Sequence, residues 1–502
     1  MQNVNGLAPL IENIFCLRAL TYAEAPKDLL WYCFLTPLWS MVYYFYVSHD
    51  LRRVFTISIK EKHMKENFST ICKQHLLRIW LYFRTFIKWL CMSLIIGAGC
   101  GVVGSIFHIG VHEATELRLH HPWILWLLPI AGLLIVGCYK LTRTEGQGTN
   151  DIIDEIHNGT GISPLLLPAI FVSTVLTHLC GGSAGREGAA LQMGGTIGYN
   201  TGKLLHLDEI DLRTATMAGM AAFFTALFGT PLTATVFSIV VVSVGIMYHA
   251  AFIPCLAASL TSYGVSIIIG VEPTRFTVSA PELTLPMILR VTVLAVLCAL
   301  VSVLFCETIH LVEHKLSKWL PSPWIRAAIG GLAIVLLTIL VGNGRYNGAG
   351  MEVVAQAIEG GSAQPEDFLL KILFTAITLS VGFKGGEVVP SFFVGATFGA
   401  VVGPLLGIPA GFAGALGLVA VFCGAVNCPI ASIFLSVELF GSAGLLYFAL
   451  SCGISYMLSG YSGLYSSQTI MYSKLKAKYI DIHTNERHAD DAEAQSRTMT
   501  KP

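Results

Sequence analysis

The sequence predicts an all-α, polytopic membrane protein built as two homologous halves of broken, tilted helices. Three observations predict it. First, the 502 residues carry only 31 Lys+Arg and 31 Asp+Glu, so charged residues make up 12% of the chain, about half the roughly 25% usual in soluble domains. Hydrophobic residues reach 54% and the mean hydropathy is +0.67. A soluble chain of this length needs far more polar surface. Second, many apolar runs approach the roughly 20 residues that a bilayer span requires, and Gly or Pro interrupts several of them. Third, three sequence blocks recur in the same order about 200 residues apart. The composition also excludes a disordered or collagen-like chain, and a formal net charge of zero removes any bulk argument for nucleic-acid binding.

The N-terminal 75 residues read as an extension. Met1–Pro26 lacks the basic start and compact apolar stretch of a cleavable signal. Leu29–Ser48 is uncharged and rich in Trp and Tyr, which fits either a span or an interfacial helix. Arg52, Arg53, Lys60, Lys62, Lys65, Lys73, Arg78, Arg84 and Lys88 follow, opposed only by Glu61 and Glu66. The positive-inside rule places this basic stretch in the cytoplasm, and a nucleic-acid role is the weaker reading of it. A transmembrane domain is expected over 76–474, with spans at Trp89–Val111, Pro122–Cys138, Ser163–Cys180, Pro231–Met247 and Ala250–Val271, then Thr284–Phe305, Ala327–Val341, Phe392–Leu406 and Leu445–Leu458. Residues 475–502 read as a short polar cytosolic tail with no further domain. The 13 cysteines sit singly in apolar runs without a C-x-x-C pair, as small buried hydrophobes do.

The repeat organises the chain into halves of about 89–271 and 284–458. G-Q-G-T-N at Gly146–Asn150 pairs with G-A-G-M-E at Gly348–Glu352, 202 residues later. G-R-E-G at Gly185–Gly188 pairs with G-G-E-V at Gly385–Val388, 200 later. Gly219–Ser238 pairs with Gly417–Ser436, 198 later, with Pro231 matching Pro429. Backbone that breaks at membrane depth is tolerated only where protein or a watery cavity surrounds it, so paired broken segments mark a shared midplane site.

Chemistry concentrates in two of these blocks. In Gly181–Gly198 a Gly-rich turn leads into an apolar helix. A helix start offers unpaired N–H groups and a positive dipole end, which suits an anion. Glu187 stands there, and its carboxylate can itself be the anion: a plug when ionised, free to leave when protonated. The alternative is a static cap partnered by Arg186. The second copy, Gly382–Gly399, places Glu387 at the equivalent point with Pro390 suited to the first turn of the next helix. Lys384 there faces water or pairs with a carboxylate. Two glutamates at equivalent points imply one pathway with two protonatable groups, or two structural caps.

G-R-E-G followed by L-Q-M-G-G, with the G-x-G turn upstream and P-L-T-A at Pro231–Ala234 downstream, resembles the CLC family of chloride channels and anion/proton antiporters. The resemblance runs from about Trp89 to Lys474. It implies a fold of two inverted repeats, a homodimer with one pore per subunit, Glu187 as external gate, and an external anion site on the backbone amides of Arg186 and Gly188. It implies a central site on the amides of Glu387 and Val388, and a tyrosine near the C-terminus, here Tyr465, reaching the central ion.

Departures from the common pattern narrow the expectation. Where chloride members read G-S-G-I-P, this chain reads Gly146-Gln147-Gly148-Thr149-Asn150, so Gln147 stands for the serine that touches chloride. Glu387 replaces an apolar residue and Val388 a phenylalanine. The inner proton glutamate of the chloride antiporters falls on Val241, beside Val240. G-G-E-V looks like the bacterial fluoride/proton antiporter branch, although that branch has a threonine where this chain has Val389. The expectation is a multi-pass protein of the cell membrane that exports fluoride in exchange for protons. The alternatives are a chloride channel or chloride/proton antiporter of the same fold, and a non-transporting sensor or assembly protein. An enzyme is not expected, since no nucleophile, base and orienter stand together, and neither is a cofactor. A metal at His108, His112 and Glu113 is the weaker reading of polar residues at a helix end. Gly342–Gly348 lacks the strand context of a nucleotide loop. Glu438 is expected to partner a polar group that the sequence does not identify.

Overall fold

A computed structural model describes residues 61–476 and 478–485. The aromatic stretch Leu29–Ser48 and the basic residues before 61 lie outside the described residues. Residues 61–83 belong to a unit separate from the body of the protein, which begins at Arg84.

The order of elements follows the predicted pattern of helices, many of them short. α1 covers Glu61–His120, and a 3-10 turn at Pro122–Leu127 leads into α2, Leu128–Thr142. Then come α3 (Thr149–Asn158), α4 (Leu166–Cys180), α5 (Glu187–Leu204), α6 (Glu209–Phe228) and α7 (Pro231–Val240). β1 (Ser243–Val244) and α8 (Phe252–Ile269) close the first half. The second half holds α9 (Leu285–Trp319), α10 (Pro323–Val341), α11 (Met351–Ile358), α12 (Asp367–Ser380) and α13 (Val388–Leu405). It ends with α14 (Ala410–Val426), α15 (Pro429–Phe440), α16 (Leu445–Leu458), β2 (Thr469–Tyr472) and β3 (Tyr479–His483). Among the described residues six helical stretches are long and apolar enough to cross a membrane.

The core is built from two tight helix pairs, α5 with α6 and α13 with α14. Small residues let their backbones touch. Gly194 and Gly198 of α5 meet Gly219 of α6; Gly395 and Gly399 of α13 meet Gly417 of α14. A Cβ on Gly219 would stand 2.9 Å from the Cα of Gly198, and one on Gly417 would stand 3.2 Å from the Cα of Gly399. The inner helices are therefore rich in Ala, Gly and Phe, with a row of ring contacts running from Phe224 to Phe237, Phe422 and Phe392 across the two halves. Long aliphatic side chains lie outside: Ile268, Leu285, Leu300 and Leu340 are exposed, as lipid-facing residues are.

Two local expectations change and a third is completed. The span drawn over Pro231–Met247 ends as a helix at Val240. A β-branched run follows, Ser243 and Val244 pair in parallel with Thr469 and Ile470, and Gly245 turns the chain with φ 90°. The polar tail is not all free: β3 pairs antiparallel with β2, and Lys474 between them is half-buried, donating to Asn427 Oδ1, the Tyr456 carbonyl and Ser459 Oγ at 2.5, 3.0 and 3.1 Å. Glu438 finds its partner at the start of α7, accepting from Leu232 N at 2.9 Å and Thr233 N at 2.8 Å.

Candidate anion and proton site

The two Gly-rich turns meet backbone to backbone. Gly185 N donates to Gly386 O at 2.7 Å and Gly386 N to Gly185 O at 2.8 Å, an antiparallel bridge between positions 201 residues apart in sequence. The approach requires glycine: a Cβ on Gly185 would collide with the Glu187 carboxylate and stand 3.1 Å from Gly386 O. The bridge brings together the starts of α5 and α13, whose first-turn amides have no intrahelical partners.

Each glutamate reaches toward the other half. Glu187, fully buried, accepts through Oε2 from its neighbour Arg186 N at 2.9 Å and from Val389 N of α13 at 3.2 Å. Its Oε1 has no partner. Glu387, at the cap position of α13, turns its Oε2 toward the start of α5, 3.5 Å from where a Cβ on Gly188 would stand, and that oxygen also lacks a partner. A buried carboxylate costs several kcal/mol unless donors or a proton satisfy it. The helix starts supply donors to one oxygen of Glu187, and the open oxygens of both residues are places for a proton or a competing anion to act.

The other expected residues divide between these positions and a cavity of about 290 Å³. Gln147, Glu387 and Tyr465 line that cavity together, with Lys384 and Gln192. Gln147 Oε1, Tyr465 Oη and Gln192 Oε1 are all unpartnered. Lys384 donates from Nζ to Gln147 O at 3.4 Å and lies 4.3 Å over the Tyr139 ring. Val388, fully buried, opens α13. Arg186 sends its guanidinium to Leu227 O at 3.4 Å. The amide of Gly188 is not among the donors to the Glu187 carboxylate, while that of Val389 is.

Sequence reasoning missed Val389 and Gln192. The repeat held the signal for the first: Val389 stands to Glu387 as Ala189 does to Glu187. Gln192 lies in the L-Q-M segment already singled out, and donates from Nε2 to Thr149 Oγ1 at 3.1 Å. Val241, the position on which the resemblance puts the inner proton glutamate of chloride antiporters, is fully buried. His108 and His112 line a different cavity, beyond Arg186, and no group of three or more metal-ligating side chains occurs among the described residues.

Comparison with known proteins identifies the family. The family model for voltage gated chloride channels matches residues 131–460. A chloride/fluoride channel protein of Pseudomonas syringae pv. tomato is 35% identical over 428 residues, covering 82% of this chain and 94% of the relative. The H(+)/Cl(-) exchange transporter ClcA of Vibrio cholerae is 26% identical, covering 77% of this chain and 88% of that protein. Among solved structures, a CLC-type fluoride/proton antiporter superposes with a TM-score of 0.75 at 34% identity, over 76% of this chain and 98% of that one. A slow cyanobacterial Cl-/H+ antiporter, 18% identical with a TM-score of 0.64 over 74% of this chain and 94% of that one, shares the fold. With its paired helix starts, bridged turns and apolar spans, the chain is a multi-pass membrane protein and belongs to the voltage-gated chloride channel, or CLC, family.

Proposed function

We propose that the protein exports fluoride across the cell membrane in exchange for protons, with Glu187 as the gate and Glu387 as the second protonatable, fluoride-contacting group. The observation that carries this reading is the buried, unpartnered Oε2 of Glu387 beside the start of α5, where chloride members have an apolar residue. Fluoride is small, strongly hydrated and a strong hydrogen-bond acceptor, so stripping its water calls for strong donors. A neutral carboxylic acid is such a donor, and the low-dielectric site favours the neutral form. Glu387 then hands an O–H to fluoride in the cavity it shares with Gln147 and Tyr465. Glu187, ionised, occupies the anion position on Arg186 N and Val389 N; protonated, it yields that position. The absence of a carboxylate at Val241 is compatible with proton coupling by this route. The names of the 35% identical relative and of the 34% identical solved antiporter support fluoride as the substrate.

The working unit proposed is a homodimer with one path per subunit. Each path lies between the halves at 89–271 and 284–458, and amides at Arg186, Gly188, Glu387 and Val388 serve the anion along it. Residues 1–75 and 475–502 remain outside that machinery in this reading. Liposome flux tests it: a fluoride gradient should drive proton movement, and fluoride should outrun chloride. Equal transport of both anions favours a chloride channel or chloride/proton antiporter instead. No anion flux from purified protein favours a sensor or assembly role.

A further inference from the structure

Beyond Arg186, on the side away from Gln147 and Tyr465, lies a second cavity of about 480 Å³. Arg118, Arg186, His178 and the start of α11 line it. Arg118 stands near the end of α1 and is only 8% exposed. No hydrogen bond from its guanidinium occurs among the described residues, its Nε is buried without a partner, and it forms no ion pair within 4.0 Å. The guanidinium lies against the Gly348 turn: a Cβ on Gly348 would stand 3.1 Å from Nη2. That turn is fixed from the other side. Gly348 N donates to Gly182 O at 3.0 Å, Asn347 Nδ2 to Gly181 O at 2.7 Å, and Lys371 Nζ to Gly348 O at 2.7 Å. The fixed turn leads directly into α11, whose first two residues, Met351 and Glu352, have amides without an intrahelical acceptor and line the same cavity.

A permanently charged guanidinium that is largely buried, with its Nε unpartnered and no protein acceptor at its Nη atoms among the described residues, is costly, and its natural complement is an anion. We infer that this cavity holds a small inorganic anion on the Arg118 guanidinium and the α11 amides, at a position separate from Glu187 and Glu387. Arg186 adds a second positive charge at the cavity wall. His178 gives Nδ1 to the Thr174 carbonyl at 2.9 Å, so its unpartnered Nε2 becomes a donor only when protonated. The standing donors are therefore the guanidinium and the amides. Glu352, in the first turn of α11, is the carboxylate that competes for them. Such a site concentrates anions at one mouth of the path, one step before the gate.

The ligand class rests on the anion-transport reading, but the site does not depend on which anion is carried or on proton coupling. The test is diffraction from crystals of the full chain grown in bromide, read by bromide anomalous scattering. The expected result is a peak within hydrogen-bond distance of Arg118, at least about tenfold weaker in apparent affinity in Arg118→Gln and undiminished in Glu352→Gln. Arg118→Lys, which keeps the charge, should hold a weaker peak and serves if the glutamine variant does not fold. In liposomes Arg118→Gln should raise KM for fluoride about tenfold with little change in kcat. Bromide bound elsewhere in the protein with none at Arg118 overturns the inference, as does a peak that persists unchanged in Arg118→Gln. A protein that shows the peak but no fluoride-driven proton movement fails the exchange reading and leaves this site standing.

Discussion

Glu438 offers a test of the fold that is independent of the substrate. Its carboxylate, on α15, accepts from the amides of Leu232 and Thr233 at 2.9 and 2.8 Å, two of the orphan donors at the start of α7. Pro231 brings no N–H, and Ala234 N already bonds to Thr230 O at 3.0 Å, so one side chain satisfies the exposed first turn from 205 residues away. Each charge-assisted bond is worth about 1.5–3 kcal/mol, and the carboxylate's place at the positive end of the helix adds roughly 0.3–1. The two bonds share one group and do not add fully. Glu438 also lines an open cavity of about 580 Å³, so water can reach the freed amides and recover part of the loss. Glu438→Ala is therefore expected to cost about 2–4 kcal/mol, and Glu438→Gln, which keeps one acceptor oxygen, about 1–2. Denaturant midpoints in one detergent, followed by tryptophan fluorescence, compare the variants on one scale. An alanine variant within about 0.5 kcal/mol of the parent, or a glutamine variant worse than alanine, refutes the reasoning.

Other outcomes follow from the same geometry. Glu187→Gln removes the titratable group from the proposed gate and should abolish proton coupling while the folded protein survives; unchanged proton flux in liposomes removes Glu187 from that role. Gly417→Ala places a methyl 3.0 Å from the Gly395 carbonyl carbon and should cost at least about 2 kcal/mol, seen as loss of a monodisperse peak on size-exclusion chromatography. Gly110→Ala, whose nearest neighbour would be 3.8 Å away, should leave that peak intact. Burial pushes the Lys474 ammonium down from about 10.5 to about 7. Between these values the unfolded chain holds a proton that the native one lacks, so stability rises with pH across about 7–10.5. Lys474→Met should flatten that rise in denaturation midpoints.

Much of this architecture was legible because its signals are local or recur. The Gly-rich turns, Glu187 and Glu387 stand in short motifs whose chemistry is fixed by neighbours within a few residues. The long lipid-facing helices announce themselves by unbroken Leu, Ile and Val. α6 and α14 were seen only as a repeated block, because helices buried on all sides need Gly and Ala for close crossing rather than bulk hydrophobes. Partnerships between distant residues were not legible. Val389 N serves Glu187 across 202 residues, and Glu438 caps a helix in the other half. Arg118 reads in sequence as an ordinary basic residue in the last turn of a helix; only the fold buries its Nε without a partner and turns the side chain to a cavity wall. The β2–β3 hairpin was hidden for a related reason, since its polar alternation looks like a solvated tail until β1 supplies an edge.

The paired hydrogen bonds between Gly185 and Gly386 also constrain how such a protein can work. Many transporters built from inverted repeats alternate by rocking one half against the other. Here the two halves are stitched beside the proposed gate, so a rocking motion would have to break both bonds and unseat the helix starts. Movement is more cheaply confined to the glutamate side chains, which move without the microsecond-to-millisecond rotation of whole domains. If the proposed roles of Glu187 and Glu387 hold, the slow step of a transport cycle is expected to be the arrival or loss of a proton or the dehydration of the anion. Turnover should then respond more strongly to buffer concentration and to heavy water than to the viscosity of the surrounding lipid.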